Sequence, residues 1–222
     1  MEPDSIIETQ DGSHSIFSKS FGVSYHSKYG AIQESRHVFI DSGLVFKLSA
    51  QKSLSILEAG FGTGLNALLT LQEAARHKVK ITYEAVEAYP IPFEQACLLN
   101  YPSILGKDIA PQFLELHKST WGATHSITPY FTFRKRQIRF EEIQDEDAYD
   151  LVYFDAFAPG TQPELWDEAV LGNMYRALKI GGALVTYCAK GVVKRTLMGL
   201  GFTIESLKGP PGKREMTRAI KS

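Results

Sequence analysis

Leu54-Ser55-Ile56-Leu57-Glu58-Ala59-Gly60-Phe61-Gly62-Thr63-Gly64-Leu65-Asn66 reads as an apolar strand, a glycine turn and the start of a helix that runs to Ala75. Glycines in such a turn let the backbone take positive φ and let a ligand approach where a Cβ would clash. The helix that follows turns unpaired N–H groups toward whatever sits on the turn. Turns of this kind also occur in α/β proteins whose loops are empty, so a second landmark is needed. Glu87 supplies it, at the end of the next apolar strand, Val79 to Val86. A carboxylate about twenty residues past the turn is placed to accept hydrogen bonds from two ribose hydroxyls. Turn and acid together point to an adenosine-containing cofactor.

The glycine spacing separates the two main nucleotide readings. A dinucleotide fingerprint asks for two residues between its second and third glycines, whereas this chain has Gly60-x-Gly62-x-Gly64 preceded by Glu58. The pattern resembles motif I of class I methyltransferases, whose cofactor is S-adenosyl-L-methionine. That resemblance implies cofactor contacts from Glu58, Gly60, Gly62, Thr63, Gly64, Asn66, Glu87 and Ala88.

Length and composition fit one α/β domain with a full core: 222 residues, 44% hydrophobic, with no Pro- or Ser-rich linker, internal repeat or low-complexity tract. The start Met1-Glu2-Pro3-Asp4 lacks the features of a signal peptide, and no apolar run approaches membrane-spanning length. A cytoplasmic, monomeric protein without a membrane partner is expected. Cys97 and Cys188 form no CxxC pattern and sit among apolar neighbours, so both are expected to be buried small hydrophobes. The six histidines are scattered without metal-ligand spacing, and no metal is expected.

The net charge of −1 hides an asymmetry. Glu141 to Glu168 carries ten acidic residues and no lysine or arginine; Lys190 to Ser222 carries eight basic residues and two acidic ones. A second basic cluster, Arg134-Lys135-Arg136 with Arg139, precedes the acidic block. These clusters suggest an anionic partner, for which nucleic-acid phosphate is the candidate, or else an ordinary solvated surface.

Along the chain, Ile6 to Thr9 and Ser15 to Phe17 flank Asp11-Gly12 and read as a small β-ribbon, and Ile32 to Leu48 as a helix. This N-terminal extension, residues 1–50, is expected to pack on a core domain of residues 51–222. Within the core, 91–129 exceeds a plain crossover and reads as an insertion with helical pieces, part of a substrate rim. Tyr130 to Phe133, Tyr149 to Asp155, Ala183 to Cys188, Phe202 to Leu207 and Glu215 to Ile220 read as strands, and Glu164 to Leu178 and Val192 to Leu200 as helices. The sum is an α/β, Rossmann-like, mostly parallel doubly wound sheet ending in an antiparallel hairpin, as in the class I methyltransferase sheet.

Open α/β sheets bind ligands at the C-terminal ends of their parallel strands. Asp155 occupies such an end, followed by Ala156-Phe157-Ala158-Pro159 and then Gln162-Pro163-Glu164-Leu165-Trp166. This run is similar to the Asp-Gly/Ala-Phe-Ala-Pro and Asn-Pro-x-x-Trp signature in the methyltransferase half of the tRNA 5-methylaminomethyl-2-thiouridine biosynthesis enzymes. Glu34-Ser35-Arg36-His37-Val38-Phe39, Glu58 to Asn66, Glu87-Ala88-Tyr89-Pro90 and Gly212-Lys213-Arg214-Glu215-Met216 extend the resemblance over nearly the whole chain. It implies methyl transfer from S-adenosyl-L-methionine to the exocyclic amine of 5-aminomethyl-2-thiouridine at the tRNA wobble position. It also implies a stand-alone methyltransferase that relies on a separate FAD-dependent oxidase, or another route, to expose that amine.

Asp155 is the catalytic candidate, because a carboxylate can orient an alkylamine and accept the proton it must lose before it attacks. Glu34 and Phe157 are expected to contact substrate, the aromatic face suiting a flipped base; Trp166 is expected to be a packing residue. Lys190, Arg195, Lys213 and Arg214 are expected to contact phosphate in the anticodon region. The family carries Gly-Asp where this chain has Arg136-Gln137, so Gln137 is the expected adenine contact, with a carbonyl in place of a carboxylate. A small-molecule N-methyltransferase, a polyamine aminopropyltransferase and a non-catalytic RNA-binding protein remain alternatives.

Overall fold

The computed structural model describes residues 4–48 and 52–222. The expected boundary between extension and core, at 50/51, lies outside them.

The chain opens with β1 (Ser5–Glu8), β2 (His14–Ser18) and β3 (Val23–Ser24), a three-stranded antiparallel sheet. The third strand was not expected. Asp11 closes the hairpin, its Oδ1 accepting from the Ser13 N–H at 3.0 Å, and reaches the following helix, its Oδ2 accepting from the Gln33 N–H at 2.9 Å. A carboxylate at a helix N-terminus is favoured by the unpaired N–H groups there. That helical stretch is continuous: α1 (Ala31–Ser35), a π-helical segment (Arg36–Val45) and α2 (Phe46–Leu48). Gly43 lets it lie close against the sheet, since a Cβ there would stand 3.0 Å from Val185.

β4 (Ser53–Ala59) leads through the glycine turn into α3 (Leu65–His77), then β5 (Lys80–Val86). α4 (Phe93–Ala96), α5 (Tyr101–Leu105), α6 (Ala110–Lys118) and β6 (Thr124–Thr128) make up the insertion. β7 (Phe131–Arg136), β8 (Tyr149–Phe154), α7 (Glu168–Ala177), β9 (Leu178–Thr186), α8 (Gly191–Gly199), β10 (Phe202–Lys208) and β11 (Glu215–Lys221) complete the chain. The main sheet has the order β10-β11-β9-β8-β4-β5-β7-β6. β7, β5, β4, β8 and β9 are mutually parallel, and β11 pairs antiparallel with both β9 and β10, giving the expected terminal hairpin.

Alternate residues of each strand face opposite sides, and both sides are covered. Ile56, Tyr83, Phe133, Leu151 and Tyr153 pack with the first helical stretch, α3 and α6; Leu57, Val152, Phe154 and Leu184 pack with α7 and α8. β8 is buried along its whole length, as a central parallel strand must be. Ile16, Val38 and Phe39 of the N-terminal segment belong to the first of these clusters.

Three expectations need correction. The helix after Asp155 starts at Glu168, because Asp167 caps it by accepting from the Val170 N–H at 2.9 Å, and Pro163–Trp166 is a separate 3-10 turn. β6 pairs antiparallel with β7 as an edge strand, hidden in a polar Thr-His-Ser-Ile-Thr sequence. Cys97 is exposed while Cys188 is buried; α4 has one turn and presents Cys97 and Leu98 outward, burying Ala96 and Leu99 instead. Among the described residues no helix is long and apolar enough to cross a membrane, and no group of three or more His, Cys, Asp or Glu is placed to hold a metal ion.

Candidate active site

The C-terminal ends of β4, β5, β8 and β9 meet under a cavity of about 410 Å³, within the range of small-molecule sites. Its floor is the glycine turn. Gly60, Gly62 and Gly64 have φ of 100°, 48° and 73°. A Cβ on Gly60 would meet the Asp155 carbonyl oxygen at 2.5 Å, and one on Gly62 would meet the Tyr25 ring at 3.0 Å. Gly60 and Phe61 donate their N–H groups to the Val86 carbonyl at 3.0 and 3.2 Å, which ties the turn to β5.

Glu87 is fixed by backbone donors. Its Oε2 accepts from the Gly62 N–H at 3.1 Å and its Oε1 from the Tyr89 N–H at 2.9 Å, which leaves lone pairs on both oxygens for a ligand's hydroxyls. Burial pushes its carboxyl up, against those bonds. Glu58 is fully buried beside Asn66 and Tyr83. Burial first, and Asp155 second, hold its carboxyl well above the ordinary carboxylate range. The cradle that a Cβ would fill and the preset Glu87 carboxylate fit an adenosyl sulfonium cofactor, whose sugar Glu87 would hold; Glu58 and Gly64, also expected contacts, are not among the residues that line the cavity.

Asp155 follows the last residue of β8. Its Oδ2 accepts from Asn66 Nδ2 at 2.9 Å. Burial raises its carboxyl from 3.8 to about 7, opposed by the Asn66 bond, with Glu34 adding to the rise and Lys213 countering it. Asn66, expected to touch cofactor, thus also holds the catalytic candidate.

Phe157 lines the cavity with Phe21 and Tyr25, both 5.1 Å away between ring centres. Trp166 is buried and donates Nε1–H to the Phe157 carbonyl at 2.7 Å, so it fixes the loop from behind, as a packing residue does. The wall opposite comes from the N-terminal segment, Phe21 to Ser27, and not from the insertion, which contributes no lining residue. The insertion instead buttresses the turn from behind: Tyr101 donates to Thr63 Oγ1 and His117 Nε2 to the Thr63 carbonyl, each at 3.1 Å. Burial pushes His117 down to about 4, so its ring is neutral and can donate in this way.

Glu34, Thr63 and Ala88 line the cavity as expected of contact residues. Gln137 does not: it lies just past the end of β7, exposed, and Arg139, Phe140 and Glu141 reach the cavity wall instead. The chain turns there because Glu142 accepts the Arg139 N–H at 2.8 Å. Lys213 also departs from expectation. It points into the cavity and pairs with Glu34 at 2.5 Å, its ammonium 3.7 Å from the centre of the Tyr187 ring. Lys190, Arg195 and Arg214 are exposed, outside the cavity, and have no ion-pair partner among the described residues.

The Arg134-Lys135-Arg136 cluster is internal wiring. Lys135 is buried and donates to the His117 carbonyl at 2.5 Å; Arg136 pairs with Glu84 and, at 2.6 Å, with Asp145; Arg134 also reaches Glu84, at 3.6 Å. Only Arg139 of that group stands at the cavity. Phe21, Arg139 and Tyr187 are among the lining residues that sequence reasoning did not assign as contacts. Tyr187 had a signal, its place just beyond the C-terminal end of β9, and Arg139 had one in its basic cluster; Phe21 had none.

A family profile described as S-adenosyl-L-methionine-dependent methyltransferase matches residues 132–222. The tRNA 5-methylaminomethyl-2-thiouridine biosynthesis bifunctional protein MnmC of Aromatoleum aromaticum is 30% identical over 98% of this chain and 35% of its own length. The chain spans about a third of the length of the curated relatives it matches. The crystal structure of MNMC2 from Aquifex aeolicus superposes with a TM-score of 0.81 at 24% identity, covering all of this chain and 71% of that one. Spermidine synthase from Thermotoga maritima shares the fold at a TM-score of 0.57 and 12% identity, over 99% of this chain and 72% of that one. Profile, relatives and fold agree with the cradle: residues 132–222 are similar to the S-adenosyl-L-methionine-dependent methyltransferase profile, and nearly the whole chain is similar to about a third of the tRNA 5-methylaminomethyl-2-thiouridine biosynthesis bifunctional proteins.

Proposed function

We propose that this methyltransferase N-methylates 5-aminomethyl-2-thiouridine at the wobble position of tRNA, giving 5-methylaminomethyl-2-thiouridine. The observation that carries the reading is Asp155, a cavity carboxylate oriented by Asn66 and raised to about 7. An alkylamine is protonated near neutral pH and has no lone pair to offer; a base matched to that pH takes the proton most effectively. When bound, the cofactor supplies an electrophilic methyl whose bond to sulfur breaks as the bond to nitrogen forms. Asp155 accepts one proton from the incoming ammonium at an Oδ atom, and Asn66 keeps that carboxylate aimed at the nitrogen.

The names of the relatives support the tRNA substrate. The aromatic wall of Phe21, Tyr25 and Phe157 suits an extruded base. Lys190, Arg195 and Arg214 are the proposed phosphate contacts, with Arg139 added at the rim. The proposal includes a cytoplasmic site of action, an upstream FAD-dependent oxidase reaction that exposes the amine, and closure of the N-terminal segment Phe21 to Ser27 over the cofactor.

An aminopropyltransferase shares the fold, and the cavity carries Glu34, Glu87, Glu141, Asp155 and Glu164 beside Arg139 and Lys213, so the choice between the two readings falls to the acceptor. A panel of acceptors tests the choice: tRNA bearing the aminomethyl group and the free nucleoside, each with S-adenosyl-L-methionine, and putrescine with decarboxylated S-adenosylmethionine as aminopropyl donor. Transfer to tRNA well above the others supports the proposal; equal transfer to the free nucleoside supports small-molecule chemistry, and reaction with putrescine alone would overturn it.

A further inference from the structure

We infer that Lys213 is a positioning residue for the reaction proposed above: by pairing with Glu34 over the Tyr187 ring it withholds that carboxylate from the substrate amine and leaves Asp155 to receive the amine's proton. The inference rests on the proposed amine substrate. Lys213 and Glu34 are 179 residues apart in the chain and meet inside the cavity. Glu34 is buried on α1, with Oε2 accepting from the Ser27 N–H at 2.9 Å and Oε1 from Lys213 Nζ at 2.5 Å. Tyr187 donates its hydroxyl to the Ala156 carbonyl at 2.8 Å, so the ring under the lysine is anchored to the residue after Asp155.

The lysine is delivered by a built turn. In the β10–β11 connection, the Gly209 N–H donates to the Arg214 carbonyl at 3.1 Å and the Lys213 N–H to the Pro210 carbonyl at 2.9 Å. Gly212 lies against Tyr29, leaving no room for a Cβ. The side chain is therefore held by backbone as well as by charge.

A carboxylate beside an aromatic face is the environment that a primary ammonium prefers. Glu34 and Tyr187 provide it, and Lys213 fills it. Were the lysine neutral, the substrate's ammonium would find the same two partners and would be stabilised in the form that cannot attack. With it in place, the Glu34–Lys213 pair is neutral and an arriving ammonium meets a nearby like charge, so its proton passes to Asp155. The other titratable groups facing the pair are His26, Tyr187 and Cys188, with Asp11 beyond His26 and Glu58 beyond Asp155. Burial pushes His26 down to about 4, so it is neutral in the working range and does not replace the lysine's charge.

The test compares wild type, Lys213→Met, Lys213→Arg and the double variant Lys213→Met/Glu34→Gln. Methyl transfer to aminomethyl-bearing tRNA is followed in single turnovers from pH 6 to 9, and binding of that tRNA is measured without methyl donor. For Lys213→Met the acidic limb of the rate profile should move up by about one pH unit, an opposite charge at short range favouring the ammonium by about that much. Turnover at pH 7 should fall about tenfold while binding is no weaker than wild type. Lys213→Arg and the double variant should both return the limb toward its original place. An unmoved limb in Lys213→Met, or weaker tRNA binding with an unmoved limb as a phosphate contact would give, overturns the inference while leaving the proposed function standing. No transfer by the wild type overturns the proposed function itself.

Discussion

Replacing Asp155 with Asn should abolish most turnover and yet make the protein more stable, and the gain should grow with pH. Folding raises the Asp155 carboxyl from 3.8 to about 7. Between those values the unfolded chain has released a proton that the folded chain still holds, so stability falls as pH rises through that window and levels off above it. A displacement of about three pH units corresponds to about 4 kcal/mol at pH 8 and about 2 kcal/mol at pH 5 as an upper bound, at about 1.4 kcal/mol per unit. Asparagine does not ionise and can present its carbonyl to Asn66 Nδ2, preserving the 2.9 Å bond. Urea titrations of both proteins at pH 5 and pH 8 measure the difference directly. The variant should be the more stable at both, with an advantage about 2 kcal/mol larger at pH 8. An advantage that is absent, or that shrinks as pH rises, would refute the claim that Asp155 is held as a strained, destabilised carboxyl for the sake of its chemistry.

Gly60→Ala combines a φ of 100° with a Cβ 2.5 Å from the Asp155 carbonyl oxygen, so it should cost about 2 kcal/mol or more in thermal or urea unfolding and weaken cofactor binding at the same time. Glu87→Ala should weaken cofactor binding by about thirtyfold or more in calorimetry, the value of about 2 kcal/mol for bonds to a charged acceptor, with unfolding changed far less. Arg136→Met leaves the half-buried Glu84 with only its longer contact to Arg134 and should destabilise by about 2 kcal/mol without changing the salt dependence of tRNA binding. Arg195→Ala should do the reverse, keeping wild-type stability and lowering the slope of log affinity against log salt by about one.

The features that sequence reading reached are those fixed over short spans of chain. Strand, turn and helix around Gly60 to Gly64 declare themselves by apolar run and glycine spacing, and Glu87 and Asp155 follow because each closes a strand whose end faces the cavity. What stayed hidden depends on which distant side chains meet. Lys135, Arg136 and Lys213 look alike as basic residues in a sequence, but one is buried against a carbonyl, one sits between two carboxylates and one enters the cavity. Tyr25 approaches Gly62 only because the N-terminal segment folds back over the turn. Gln137 was assigned by its position after β7, and the turn set by Glu142 brings Arg139 to Glu141 to the wall in its place. Cys97 misled because its apolar neighbours Ala96 and Leu99 take the buried side of a one-turn helix.

The most direct test of the central claim is methyl transfer from labelled S-adenosyl-L-methionine to tRNA isolated from cells lacking this protein, read by nucleoside mass spectrometry. Wild type should convert 5-aminomethyl-2-thiouridine to 5-methylaminomethyl-2-thiouridine, and Asp155→Asn, with cofactor binding within about tenfold of wild type, should convert almost none. Label appearing in another nucleoside, or in the expected one at an undiminished rate in the variant, would contradict the account.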